Sequence, residues 1–308
     1  MAMRLISDDE VAAVLTMRDA VAAMAAAFEQ FGNGAGAVVP RMRATAQHRQ
    51  QSVAIATMGA ALPAAGVVGA KVYTTIAGRF QFVIVLFSAI TGEPLAALEA
   101  NEITRLRTAA VTAVAMQRLA SREARSLAIF GAGVQAHAHA EALLMARPFE
   151  RVLVAGRSAA TDFADWVQTE FGVPASAVDA AAAVHAGDVI VTATRAVEPL
   201  FDGALVRPGT FVAAVGSAKP AGRELDDTLL ARAELIVVEW LPAAMAEAGE
   251  FVRAAPGVID HARVVELGKL LVKGAHYDRR PGDIVVYKSV GIGLEDVALA
   301  HLVYKRSS

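Results

Sequence analysis

The chain has 308 residues, a net charge of −2, 55% hydrophobic residues and no cysteine. That length accommodates two domains of ordinary size. The missing cysteines exclude disulfides, thiolate nucleophiles and thiolate metal sites. A near-neutral balance without a long basic run argues against nucleic acid as a partner, and no uncharged apolar run reaches the roughly 18 residues of a membrane span. The opening "MAMRLISDDE" turns acidic at once, unlike a signal peptide, and the lack of cysteine fits an expected reducing, cytoplasmic setting.

Two helices are expected first. Ser7 with Glu10, and Thr16 with Asp19, have the spacing of capping boxes. The second helix runs from about Met17 to Phe31 and stops at "GNGAG". Alternating or β-branched segments follow: "RMRATAQ", "QSVAIATMG", "AGVVGAKVYTT" and "QFVIVLFSAITGEPLAAL". They predict an antiparallel sheet. A long helix then spans about Asn101 to Leu119. From Ser126 apolar runs ("SLAIFG", "RVLVAG", "DVIVTAT", "TFVAAVG", "ELIVVE") alternate with helical stretches, the pattern of a parallel sheet covered on both faces. A last strand, "DIVVYKS", precedes a C-terminal helix, "LEDVALAHLVYKR". The fold class is α/β: a Rossmann-type doubly wound sheet over 120–292, plus an α+β domain over 1–119 and 293–308.

"GAGVQA" sits between the first parallel strand and its helix, the context of a dinucleotide turn. Gly131 permits the tight turn. Gly133 lets the backbone approach a pyrophosphate, and Ala136 is small enough for helix and strand to pack. The helix N-terminus offers N–H groups and positive dipole character to phosphate. The next strand ends in Gly156, Arg157 and Ser158 rather than an acid, which favours the 2′-phosphate of NADP(H), with NAD(H) as the alternative. His137 and His139 are two residues apart, so on a helix they point about 200° from each other and cannot share a metal. They are expected to be ordinary helix-face histidines, and no metal site is expected.

Four motifs occur in order: "EITRLRTAAVTAVA", "IFGAGVQAHAHAEAL", "AVGSAKPAGRELDD" and "VVYKSVGIGLEDVALA". Together they resemble the ornithine cyclodeaminase/mu-crystallin family over nearly the whole chain. The resemblance implies a Rossmann domain and a second domain that holds substrate and forms a homodimer. Its chemistry is hydride transfer between an α-amine and an imine, with a small cyclic imino acid or amino acid as partner. Arg41 or Arg43, Lys71 and Arg107 resemble the substrate-binding residues, with Lys71 also a catalytic candidate. An arginine fork matches a carboxylate, but Arg41 and Arg43 project to one strand face and the sequence does not choose between them. Lys71 stands in an apolar run and needs a partner, which a substrate carboxylate would provide. Arg107, between Ile103 and Val111 on its helix face, likewise calls for an anion if it points inward. Thr108, Val134, Gln135, Thr192, Thr194, Val215, Gly216, Ser289 and Gly291 complete the expected cofactor contacts. Asp296 is a first-turn acid of the last helix.

One departure bears on the reaction. Ala218 stands where cyclodeaminases of the family carry the aspartate of their ammonia-eliminating ring closure. Members without it resemble ketimine reductases, which convert Δ1-pyrroline-2-carboxylate or Δ1-piperideine-2-carboxylate to L-proline or L-pipecolate. The expected function is therefore NADPH-dependent reduction of a cyclic ketimine. The alternatives are ornithine cyclodeamination, an alanine dehydrogenase-type oxidoreductase, and a mu-crystallin-like binding protein without turnover.

Overall fold

The computed structural model describes residues 3–307. It divides into two compact units, Met1–Ala110 with Gly291–Ser308, and Val111–Val290. The division falls inside a helix rather than after it at residue 119.

The first unit starts with β1 (Arg4–Ile6), α1 (Asp8–Val14) and α2 (Met17–Gly32). Both expected capping boxes are present: Ser7 and Thr16 each accept from a backbone N–H three residues on, and Glu10 and Asp19 reach back. The strands are β2 (Ala37–His48), β3 (Gln51–Leu62), β4 (Val67–Ile76), β5 (Arg79–Ser88) and β6 (Pro94–Glu99), followed by α3 (Asn101–Leu119). "QFVIVLFSAITGEPLAAL" is two antiparallel strands rather than one, because Gly92 turns the chain at φ +76°. The sheet order is β1-β6-β5-β4-β3-β2, antiparallel except where β1 joins β6. One extra residue between Val39 and Met42 shifts the β2–β3 register.

The second unit holds β7 (Ser126–Phe130), α4 (Val134–Ala146), β8 (Arg151–Ala155), α5 (Ala160–Phe171), β9 (Ala175–Ala177), α6 (Ala180–Ala186), β10 (Val189–Thr192), β11 (Phe211–Ala214), α7 (Asp227–Arg232) and β12 (Leu235–Val238). Then come α8 (Leu241–Glu247), α9 (Gly249–Val252), β13 (Val264–Glu266), α10 (Leu267–Leu271) and β14 (Val285–Lys288). The chain returns to the first unit as α11 (Gly293–Arg306). The second sheet is parallel throughout, in the order β13-β12-β14-β11-β10-β7-β8-β9. Strands β7, β10, β11, β12 and β14 are buried along their whole lengths, which explains why they are apolar apart from Ser126, Thr192 and Lys288 at strand ends and the Tyr287 hydroxyl. From β7 the chain winds one way to β8 and β9 and then crosses to β10 and β11 on the other side, so the direction of winding reverses between β7 and β10. Their C-terminal ends therefore form the switch point at which doubly wound sheets bind ligands.

Candidate functional site

The nucleotide turn lies where β7 gives way to α4. Gly131 has φ +107°, and a Cβ there would lie 2.8 Å from the Ala193 carbonyl oxygen. Positive φ and close approach both require glycine. Gly133 is the N-cap of α4, supplies no capping side chain, and faces open space. Val134 is exposed, Gln135 half-buried and Ala136 buried, so the helix start is accessible while its third residue packs inward. Beyond β8, Arg157 and Ser158 are exposed, and their side chains engage no other group among the described residues.

The other strand ends are organised by carboxylates that sequence reasoning does not single out. Glu224 is fully buried. It accepts from Thr192 Oγ1 (2.9 Å), Thr194 N (2.8 Å), Thr194 Oγ1 (2.7 Å) and Gly216 N (2.8 Å). The hydroxyls of Thr192 and Thr194, expected to face a cofactor, are thus committed to Glu224. Val215 donates its N–H to the Thr192 carbonyl. Glu239, also buried, accepts from Ser289 Oγ (2.5 Å), Tyr287 Oη (3.0 Å) and Val290 N (2.9 Å). A carboxylate closing the apolar run "ELIVVE" is the available signal for Glu239, because a buried charge needs donors. Glu224 lies in no such run, and only the fold reveals its role.

The two histidines part company. His137 packs its ring 4.5 Å from those of Phe163 and Trp166. His139 is not a helix-face residue of the ordinary exposed kind. It is buried, with Thr112 Oγ1 at 3.0 Å and the Gln135 carbonyl at 2.7 Å. Burial pushes its pKa down to about 4, against the pull of the Gln135 carbonyl.

The first unit gathers cations from distant parts of the sequence. Lys71 on β4 lies opposite Met58 of β3 and Ile84 of β5 and is only 1% exposed. Its partner within this unit is not a substrate carboxylate but Asp296 of α11, at 2.6 Å, with Thr104 Oγ1 at 3.5 Å. Asp296 does stand in the first turn of α11, yet its carboxylate turns to Lys71 and, at 3.5 Å, to Arg107 Nε. Arg107 points inward, as its helix face predicts, and pairs with buried Glu295. Glu295 also accepts from the Ile292 N–H at 2.9 Å, which fixes the start of α11.

The structure separates the two arginines of β2. Arg41 is half-buried and donates to the Gly291 carbonyl (2.9 Å) and to Met58 Sδ (3.5 Å). Arg43 is exposed and donates to Tyr73 Oη at 3.3 Å. Gly291 has φ +74°, and a Cβ there would strike the Arg107 guanidinium. Thr108 turns its hydroxyl to the Thr104 carbonyl at 2.8 Å. Lys71 Nζ also lies 5.1 Å from the Phe82 ring centre. Burial lowers the Lys71 pKa to about 8; Asp296 opposes that shift, while the fields of Arg107 and Arg41 add to it. The cluster can thus hold an anion and exchange a proton near neutral pH.

Comparison with known proteins places these features in a wider set. The family model for the ornithine cyclodeaminase/mu-crystallin family matches residues 2–308. A Delta(1)-pyrroline-2-carboxylate reductase of Bacillus cereus is 31% identical, over 99% of this chain and 97% of its own. Among solved structures, a probable ornithine cyclodeaminase from Bordetella pertussis Tohama I superposes with a TM-score of 0.94 at 45% identity, covering 99% of this chain and 97% of that one. The Thermococcus litoralis Delta(1)-pyrroline-2-carboxylate reductase, solved with NADH and L-proline, gives 0.91 at 28% identity, with the same coverage.

Proposed function

The chain belongs to the ornithine cyclodeaminase/mu-crystallin family, and from that premise we propose that this oxidoreductase uses NADPH to reduce a cyclic ketimine. The substrate is Δ1-pyrroline-2-carboxylate or Δ1-piperideine-2-carboxylate, and the product L-proline or L-pipecolate. The observation that carries the reading is Lys71: a buried ammonium with a pKa of about 8, in the field of Arg41 and Arg107. The arginine forks fit a carboxylate and fix the imino acid by its one permanent charge. Arg41, whose field reaches Lys71, is the better candidate than Arg43. Lys71 delivers the proton that makes the imine nitrogen positive, so that its carbon accepts a hydride and a neutral amine results. When bound, the reduced nicotinamide supplies the hydride. The balance is one imine, one hydride and one proton giving one amine.

The second unit supports the cofactor half. Gly131, Gly133 and the start of α4 fit a pyrophosphate. Arg157 and Ser158, exposed and uncommitted among the described residues, fit a 2′-phosphate. Val134, Gln135, Val215 and Gly216 lie at the same helix start and strand end. A homodimer in the cytoplasm completes the proposal.

Ornithine cyclodeamination is the second reading, favoured by the 45% identity to the probable cyclodeaminase. Ala218 opposes it, because a methyl group carries no proton for ammonia elimination. The test is a spectrophotometric screen of NADPH and NADH against five- and six-membered cyclic imino acids and pyruvate with ammonia, with ammonia release from ornithine followed in parallel. Oxidation of NADPH by a cyclic imino acid is expected. Ammonia release from ornithine, or turnover of pyruvate with ammonia alone, would replace this reading.

A further inference from the structure

We infer that Glu224 is the positioning residue of the dinucleotide site, acting through Thr194 and Gly216 rather than by touching the cofactor. The inference rests on the nicotinamide-cofactor reading above. Each carboxylate oxygen of Glu224 takes one hydroxyl and one backbone N–H: Oε1 from Thr194 alone, Oε2 from Thr192 and Gly216. All four acceptor positions are filled, so a single side chain ties the segment after β10 to the segment after β11.

That tie extends to the glycine turn. The Ala193 carbonyl and the Thr194 methyl pack against Gly131, 2.8 Å and 3.4 Å from where its Cβ would be. At Gly216 a Cβ would collide with Thr194, so these two segments also meet backbone to backbone. Glu224 therefore governs three strand ends at once, those of β7, β10 and β11, at the switch point of the sheet.

Glu224 is itself held. Its N–H donates to Glu250 at 2.9 Å, and Glu250 pairs with Lys288 at 3.0 Å. The Lys288 ammonium donates to the Ser217 carbonyl at 2.8 Å. Ser217 Oγ donates to the Gly222 carbonyl at 3.0 Å, closing the loop between β11 and Glu224. A buried hydrogen-bond network of this kind fixes backbone geometry, and phosphate binding by backbone N–H groups depends on that geometry.

Glu224→Gln is the informative change. Whichever way the amide turns, its NH2 faces a backbone N–H, of Thr194 or of Gly216, which cannot reverse its role. The dissociation constants of NADPH and NADH are measured by titration, together with KM for cofactor and imine, and circular dichroism reports folding. In folded Glu224→Gln the cofactor dissociation constant and KM are expected to rise about tenfold, with the KM for the imine at saturating cofactor unchanged. Thr194→Val, which removes one donor and keeps the methyl, is expected to raise them less and decides the matter if Glu224→Gln does not fold. Folded variants that bind cofactor like the wild type would overturn the inference. A wild type that binds neither NADPH nor NADH would instead remove the cofactor reading beneath it.

Discussion

Asp296 in the first unit and Glu224 in the second are both fully buried carboxylates, and they are satisfied in opposite ways. Asp296 meets charged donors, Lys71 and Arg107. Glu224 meets neutral ones, two threonine hydroxyls and two backbone N–H groups. Burial lowers the Lys71 pKa to about 8 although the Asp296 charge raises it, so this charged pair holds a proton that can move. Charge against fixed dipoles leaves a rigid frame. The first arrangement suits chemistry on a substrate; the second suits holding a cofactor site in shape.

Removing Lys71 breaks the first arrangement. Lys71→Met is expected to lower kcat on the imine by about 10³-fold, the scale of a lost general acid. It also leaves Asp296 buried without its ammonium, at a stability cost of about 3–5 kcal/mol. Adding Asp296→Asn to Lys71→Met should recover much of the stability in thermal unfolding and none of the activity. Recovery of activity would show that Lys71 is only structural.

Arg157→Ala probes the second unit alone. Its KM for NADPH should rise by about 10–100-fold, the worth of a charge-assisted hydrogen bond, while that for NADH stays unchanged. Equal changes for both cofactors would remove the 2′-phosphate assignment.

Asp296→Asn sharpens the contrast through pH. Lys71 must be protonated to act, so kcat/KM falls as pH rises through about 8. The Asp296 charge raises that pKa and the Arg107 and Arg41 charges lower it, so Asp296→Asn moves the alkaline limb to lower pH, by about one unit. Glu224→Gln should leave the limb in place. If both variants moved it equally, the two carboxylates would not differ as described.

The smallest effect concerns stability. The folded pKa of His139 is depressed to about 4 from the ordinary 6.5. Below pH 6.5 the unfolded chain takes up a proton that the folded chain refuses, so stability falls from there down to about pH 4, by on the order of 3 kcal/mol at most. His139→Gln should flatten the dependence of Tm on pH across that window. An unchanged slope would assign the loss to other groups.

The parts of the site legible in the sequence are the local ones. Gly131 and Gly133 announce a turn because strand, turn and helix are contiguous. The capping residues Ser7 and Thr16 mark helix starts for the same reason. Lys71 is conspicuous in an apolar run, but its partner Asp296 lies 225 residues away and no local pattern links them. Arg41 and Arg43 are indistinguishable by alternation, and the extra residue in β2 and the carbonyl of Gly291 tell them apart. Thr192 and Thr194 read as cofactor contacts because they end a parallel strand. Their hydroxyls belong to Glu224, which folding brings back to the strand ends from a later loop.

The most direct measurement follows the hydride itself. The enzyme is incubated with a cyclic imino acid and NADPH carrying deuterium at both C4 positions, and the product is examined by chiral mass spectrometry. L-proline or L-pipecolate bearing one deuterium on the α-carbon is expected. A product without deuterium, or NADPH bound but never oxidised by any cyclic imine, would contradict it.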